Sequence, residues 1–223
     1  MTTAIIVFLA SMTAWNAFAW RNGIEWWTAS IRRGGGEQSR AWQELGTENQ
    51  VIGKLDVAET CYLQALELNP DLAPARRNMA WMRVRQKRYE EAYTLIKECT
   101  ERTPLHRHAW EDRGKVAEMA GNTEDSESSF RRAVALEPMH WASWNFLGKT
   151  LFSRKAYTEA AKCFRIALTV HKHNSYRWNL AWALRGAGNQ KESAEIMKTI
   201  PKQIAIDEHF IIPPQTKVNL LEP

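Results

Sequence analysis

The chain is predicted to be an all-α solenoid of about five helical hairpins, preceded by one amino-terminal transmembrane or signal helix. Three observations predict this. A period of 34 residues runs from residue 39 to about residue 200. Small and bulky residues recur at fixed offsets inside each period, as two closely packed helices require. The first twenty residues carry no charged side chain. With 223 residues and 44% apolar content, the chain can bury a sizeable core. Its net charge of +5 comes from interspersed acids and bases, so there is no sustained basic tail. Cys61, Cys99 and Cys163 are odd in number and widely spaced, which points to a reducing compartment and away from a disulfide framework or a zinc site.

The first element is "MTTAIIVFLASMTAWNAFAW", which as a helix would extend about 30 Å and match a bilayer core. Two versions stay open. A retained anchor would set Trp15, Trp20, Trp26 and Trp27 at the membrane interface, and Arg21, Arg32 and Arg33 would hold the following repeats in the cytoplasm. A cleaved signal peptide would use the small-x-small pattern of Ala17, Phe18 and Ala19, although a basic leader is missing, and would place the repeats in the periplasm. The anchor is the primary expectation: residues 1–27 form the membrane segment and residues 28–38, which include "RRGGG", form a flexible linker.

The repeats follow. Trp42, Trp110 and Trp144 open "AWQELG", "AWEDRG" and "SWNFLG" in the 34-residue register, with Arg76 in place of the missing copy. Small residues mark the close-packing point of each second helix at Ala58, Ala92, Ser126 and Ala160. Bulky ones follow at Tyr62, Ile96, Phe130 and Phe164, then small ones at Ala65, Cys99, Ala133 and Ala167. Pro70, Pro104 and Pro138 close three repeats, and Lys172 stands at that place in the fourth.

These residues resemble the tetratricopeptide repeat, most closely in "AWQELGTENQVIGKLDVAETCYLQALELNP". The resemblance covers residues 39–200, with repeats at 39–72, 73–106, 107–140, 141–173 and a degenerate fifth from Asn174 that keeps Leu180, Ala181, Leu184 and Gly188. Arg113 stands where the family has leucine, and Arg83 where it has an aromatic residue. The resemblance implies that the first helices line a concave groove that takes a protein or peptide.

"RRNMAWMRVRQKR", residues 76–88, is then the first helix of the second repeat rather than a nucleic-acid-binding arm, and Glu90, Glu91, Glu98 and Glu101 on the next helix offset its charge. Met79 and Ala80 face its partner helix, while Arg77, Trp81, Val84 and Arg85 lie on another face. Down the period, one row of inner positions holds Thr47, Trp81, Lys115, Lys149 and Trp182; a second holds Gln43, Arg77, Glu111, Asn145 and Trp178; a third holds Gln50, Val84, Glu118, Phe152 and Arg185. The candidate partner-binding residues are therefore Arg77, Trp81, Arg85, Lys115, Asn145, Lys149, Phe152, Trp178, Trp182 and Arg185. The alternative for Trp178 and Trp182 is burial in the terminal repeat. Charge is asymmetric along the chain: residues 141–173 hold six Lys or Arg against one Glu, and residues 39–72 hold two against six acids.

No catalytic constellation emerges. The pairs His106/His108 and His171/His173 lie at junctions between repeats and lack a third ligand, so no metal and no cofactor is expected. Phosphate-loop, nucleophile-elbow and zinc-protease motifs are missing. Pro201 ends the last helix, and in the tail, residues 201–223, the side chains of Phe210, Ile211 and Ile212 are expected to dock on the fifth repeat or on a partner subunit. The expected function is a membrane-tethered, non-enzymatic scaffold or adaptor that binds a protein partner, such as a membrane-complex subunit, during assembly of an envelope or membrane complex. Alternatives are a periplasmic assembly factor of a secretion, pilus or polysaccharide machine and a helical-repeat RNA-binding protein, for which a code-like set of polar pairs is missing.

Overall fold

Small residues at fixed offsets produce the expected result in the computed structural model, which describes residues 23–34 and 37–201: the fold is the all-α repeat solenoid of helical hairpins. After α1, residues 23–33, come five hairpins. They are α2 (Gln38–Val51) with α3 (Leu55–Leu68), α4 (Ala73–Arg85) with α5 (Tyr89–Arg102), α6 (Arg107–Met119) with α7 (Thr123–Leu136), α8 (Trp141–Ser153) with α9 (Tyr157–Val170), and α10 (Asn174–Gly186) with α11 (Gln190–Lys198). The chain divides between Thr103 and Pro104 into two compact units, the first holding repeats one and two and the second holding repeats three to five.

Within hairpins, the close approach is set by a glycine on the first helix and an aromatic ring on the second. A Cβ added at Gly46 would stand 2.7 Å from the Tyr62 ring, at Gly114 2.7 Å from Phe130, and at Gly148 2.5 Å from Phe164. All three rings are fully buried. In repeat two the equivalent pair is Ala80 and Ile96, both fully buried, so a larger first-helix residue is matched by a smaller second-helix one.

Each hairpin turn is also built alike. Gly53, Gly121 and Gly188 take left-handed φ values of 81°, 81° and 86°. Lys87 and Lys155 fill the same place in repeats two and four with φ of 61° and 63°. The next residue then donates its amide five residues back, as from Asn122 to Ala117 and from Ala156 to Leu151, which closes the helix in a Schellman motif.

Two of the tryptophans that mark the period tie their first helix to the loop before it. Trp110 and Trp144 donate their indole N–H to the carbonyls of Pro104 and Pro138, at 2.9 and 2.8 Å. Arg76, where the tryptophan is replaced, donates its guanidinium to the Pro70 carbonyl at 2.7 Å, also six residues upstream. Before the fifth repeat, where Lys172 stands in place of the proline, Arg177 turns to the Asn174 side chain instead.

The expected linker, residues 28–38, differs from the structure. Residues 28–33 belong to α1, because "TASIRR" contains no helix breaker before Gly34, which has φ of 66°. α1 runs close to α2, where Gly23 meets the Glu48 carboxylate. Among the described residues no helix is long and apolar enough to cross a membrane. The expected membrane segment up to residue 22, with Trp15 and Trp20, lies outside the described residues, as do Phe210, Ile211 and Ile212 of the tail.

Candidate functional site

In the second unit the first helices α6, α8 and α10 carry the inner rows, and the fold gathers their aromatic and basic side chains around two rings. Phe146 on α8 stacks on Phe130 of α7, with centroids 5.5 Å apart and planes 15° apart. The ammonium of Lys115, on α6, lies 4.3 Å from the Phe146 centroid, and that of Lys149, one turn along α8, lies 5.7 Å from it. On α10 the Arg185 guanidinium sits 5.5 Å from the Trp182 ring, and Trp182 lies 6.1 Å from Trp178. Cations placed over ring faces are attracted by the ring quadrupole, and the aliphatic stems cover apolar surface. Phe152 meets Tyr157 edge-on at 5.1 Å and packs against the core.

Two candidate residues are not at the surface. Trp178 is buried at 3% exposure and Asn145 is fully buried. Asn145 accepts a hydrogen bond of 2.9 Å from the Asn179 amide, so it links α8 to α10 rather than facing a ligand. Spacing along a helix could not reveal this, because the partner lies 34 residues away. Trp182 remains half-buried, and its indole N–H is buried with no hydrogen-bond partner among the described residues.

The first unit presents a different, polar arrangement. Thr47 on α2 receives hydrogen bonds from the amides of Gln43 and Asn78, each at 3.1 Å, the second reaching across from α4. The Tyr62 hydroxyl donates to Gln50 at 2.7 Å. Burial pushes the Tyr62 phenol above its usual range, which keeps it a neutral donor. Arg77 and Trp81 are half-buried and Arg85 is exposed.

The two arginines that depart from the repeat pattern are absorbed by carboxylates from second helices. Arg83, 8% exposed, pairs with Glu59 of α3, and Arg113 makes bonds of 2.8 and 2.6 Å to Asp125 of α7 while lying 5.3 Å from the Trp110 ring. The hydrogen bond from Arg83 holds the Glu59 carboxyl below the ordinary range, and nearby positive charge adds to this against the opposing effect of burial.

A serine, a histidine and a glutamate meet at the start of α8. His140 Nδ1 lies 2.9 Å from Ser143 Oγ and 3.0 Å from Glu111 Oε1, and Ser143 itself donates to Glu111. Both partners address the same ring nitrogen, so no proton relay runs through the imidazole. The group caps a helix: His140 Nδ1 accepts the Ser143 amide, and Arg107 neutralises Glu111 at 2.6 Å. His106 and His173 occupy the same cap position in the neighbouring repeats. Their partners stand close, with His106 and His108 rings 5.7 Å apart and His171 and His173 rings 6.0 Å apart, and His171 also stacks on Trp141 at 4.9 Å. No cluster of three His, Cys, Asp or Glu able to hold a metal occurs among the described residues. In α1, Trp26 is 61% exposed and meets Trp27 edge-to-face at 4.3 Å.

Comparison with known proteins agrees with this geometry. The tetratricopeptide repeat family model matches residues 44–100, 83–135, 111–169 and 157–205. A tetratricopeptide repeat-containing protein of Caenorhabditis elegans, trd-1, is 27% identical over 118 residues, 52% of this chain and 15% of that protein. Human superkiller complex protein 3 is 25% identical over 156 residues, 69% of this chain and 10% of that protein. The chain thus spans only 10 to 15% of the length of these relatives. Among solved structures, MamA superposes with a TM-score of 0.66 at 16% identity, covering 74% of this chain and 90% of MamA. YrrB, described as a repeat protein with an unusual peptide-binding site, gives 0.65 at 18% identity, covering 77% and 89%. Pseudomonas aeruginosa PilF gives 0.61 at 18%, covering 81% and 89%. At these identities the structural likeness is one of fold.

Proposed function

We propose, from the premise that this chain belongs to the tetratricopeptide repeat family, that it is a non-enzymatic adaptor whose first-helix face in the second unit captures a protein partner at a membrane. One observation carries the reading. Hairpin packing consumes the glycines and aromatic rings of each repeat, yet Lys115, Lys149, Trp182 and Arg185, at neighbouring inner positions of α6, α8 and α10, are only partly covered or exposed. Stacked hairpins expose such a face along their length, and tryptophan with arginine is the composition of binding hot spots. The peptide-binding description of YrrB, a structure of the same fold, supports the reading. The membrane part rests on the uncharged twenty-residue opening.

A photo-crosslinking side chain at position 149 should join the partner, while the same group at exposed Arg132 on α7 should not. Equal or absent crosslinking at both positions would sink the reading. For the tether, the full chain should stay with membranes in high salt. Amino-terminal sequencing of the mature protein that begins after Ala19 would instead favour the second reading, a periplasmic assembly factor released by cleavage at Ala17-Phe18-Ala19.

A further inference from the structure

We infer that the cleft between α9 and the α10–α11 turn is a second docking site, which receives a glutamate side chain of a protein partner. It lies on the second helix of repeat four and is independent of the first-helix face. One repeat earlier the corresponding place is filled from within. Glu127 of α7 accepts a bond of 2.8 Å from Arg131 Nε and another from Arg154, in the turn after α8, while Arg131 Nη2 bonds to Glu159 of α9 at 2.9 Å. Burial alone would raise the Glu127 carboxyl, yet the bonds from Arg131 and Arg154 hold it below its ordinary range, so this place favours an anion.

Half of that arrangement returns between repeats four and five. Arg165, 34 residues after Arg131, bonds through Nη2 to Glu192 of α11 at 2.5 Å, as Arg131 does to Glu159. Where Glu127 and Arg154 would recur, the sequence has Ala161 and Ala187. Two long side chains are thus replaced by two methyl groups, and a cleft of about 240 Å³ opens over the buried Leu184. Lys162, where repeat three has Ser128, and Arg165 stand on its rim, both exposed. Glu192 is already engaged: one oxygen accepts Arg165 and the other accepts the Asn189 amide at 2.7 Å. Among the described residues no carboxylate therefore meets Arg165 as Glu127 meets Arg131. Size decides the kind of occupant. Small-molecule pockets run from about 300 to 1,000 Å³, so this cleft suits one side chain and not a cofactor. Its floor of Ala161, Leu184 and Ala187 fits a methylene stem, and its cationic rim fits the carboxylate at the end.

The test uses the full chain, isotope-labelled at arginine and held in a non-ionic detergent. Glutamate blocked at both backbone ends is titrated in while the Arg165 Nε–H signal is followed by nuclear magnetic resonance. A saturable shift with a dissociation constant on the order of millimolar is expected, as suits one side chain taken out of a larger interface. Blocked glutamine should produce none, and the signal of exposed Arg132 on α7 should stay still. Ala161→Glu should abolish the shift by refilling the place from within, at a melting temperature equal to or above that of the parent. Lys162→Gln should weaken binding about threefold or more, with unchanged circular dichroism. An equal response to glutamine, or glutamate binding that survives Ala161→Glu in a folded chain, overturns the inference. Displacement of the blocked glutamate by inorganic phosphate at equal concentration marks a small-anion site and overturns it as well. Should Ala161→Glu fail to fold, the Lys162→Gln titration decides, and an affinity equal to the parent's sinks the proposal.

Discussion

Replacing Gly148 by alanine tests the packing rule on which the repeats are built. The added Cβ would lie 2.5, 2.8 and 2.9 Å from three atoms of the Phe164 ring, where carbon contacts are comfortable at about 3.5 to 4.0 Å. The ring would have to retreat by about 1 Å, and it is fully buried. Overpacking of this kind costs about 1 to 3 kcal/mol. Alanine in a helix interior gains about 1 kcal/mol over glycine, so the net destabilisation should reach up to about 2 kcal/mol. That corresponds to a fall in melting temperature of up to several degrees for a chain of this size. Repeat two already carries the compensated pair, Ala80 with Ile96. The double substitution Gly148→Ala, Phe164→Ile should therefore be more stable than the sum of its single effects by at least about 1 kcal/mol, since each change relieves the other. Urea denaturation followed by far-ultraviolet circular dichroism measures all four chains. Additive effects, or a Gly148→Ala chain more stable than the parent, would refute the steric argument.

Three further expectations use other features of the same fold. Arg76→Met should cost about 1 to 2 kcal/mol in urea denaturation, because the Pro70 carbonyl loses its donor, whereas Arg76→Trp should cost less by restoring the indole bond seen at Trp110 and Trp144. Lys155→Gly should stabilise the fourth repeat's turn by up to about 1 kcal/mol and Gly121→Ala should destabilise the third by about 1 to 2 kcal/mol, since both residues have positive φ. A methyl added at Gly121 would meet no atom within 4 Å, so backbone strain alone carries the second effect. Thermal melts of the two variants should thus move in opposite directions. The Glu59 carboxyl titrates below its ordinary value because Arg83 bonds to it. Its contribution is complete above about pH 4.5 and is lost as pH falls through the lowered value, so the stability gap between the parent and Arg83→Met should narrow between about pH 6 and pH 3. A gap that stays constant over that range would show that the pair does not contribute through Glu59 ionisation.

The 34-residue period is enough to predict hairpins, their register and the faces on which Ala58, Tyr62, Phe130 and Phe164 are buried. Periodicity reports what each residue must do toward its own helix partner, and that demand repeats identically in every copy. The partners that complete the departures from the pattern are not legible in this way. Arg83 finds Glu59 at a separation of 24 residues, Asn179 finds Asn145 at 34, and Thr47 gathers Gln43 and Asn78 from two helices. Arg76 keeps a tryptophan's hydrogen bond with different chemistry, which residue type conceals. Trp178 and Trp182 look equivalent on a helical wheel, yet the first is buried and the second only partly so. The helices, their order and their small-against-large contacts follow from the order of residues, because each depends on one residue and its position in the repeat. Which polar and aromatic groups remain at the surface is settled only when the hairpins pack, because that outcome depends on distances between side chains brought together from different repeats.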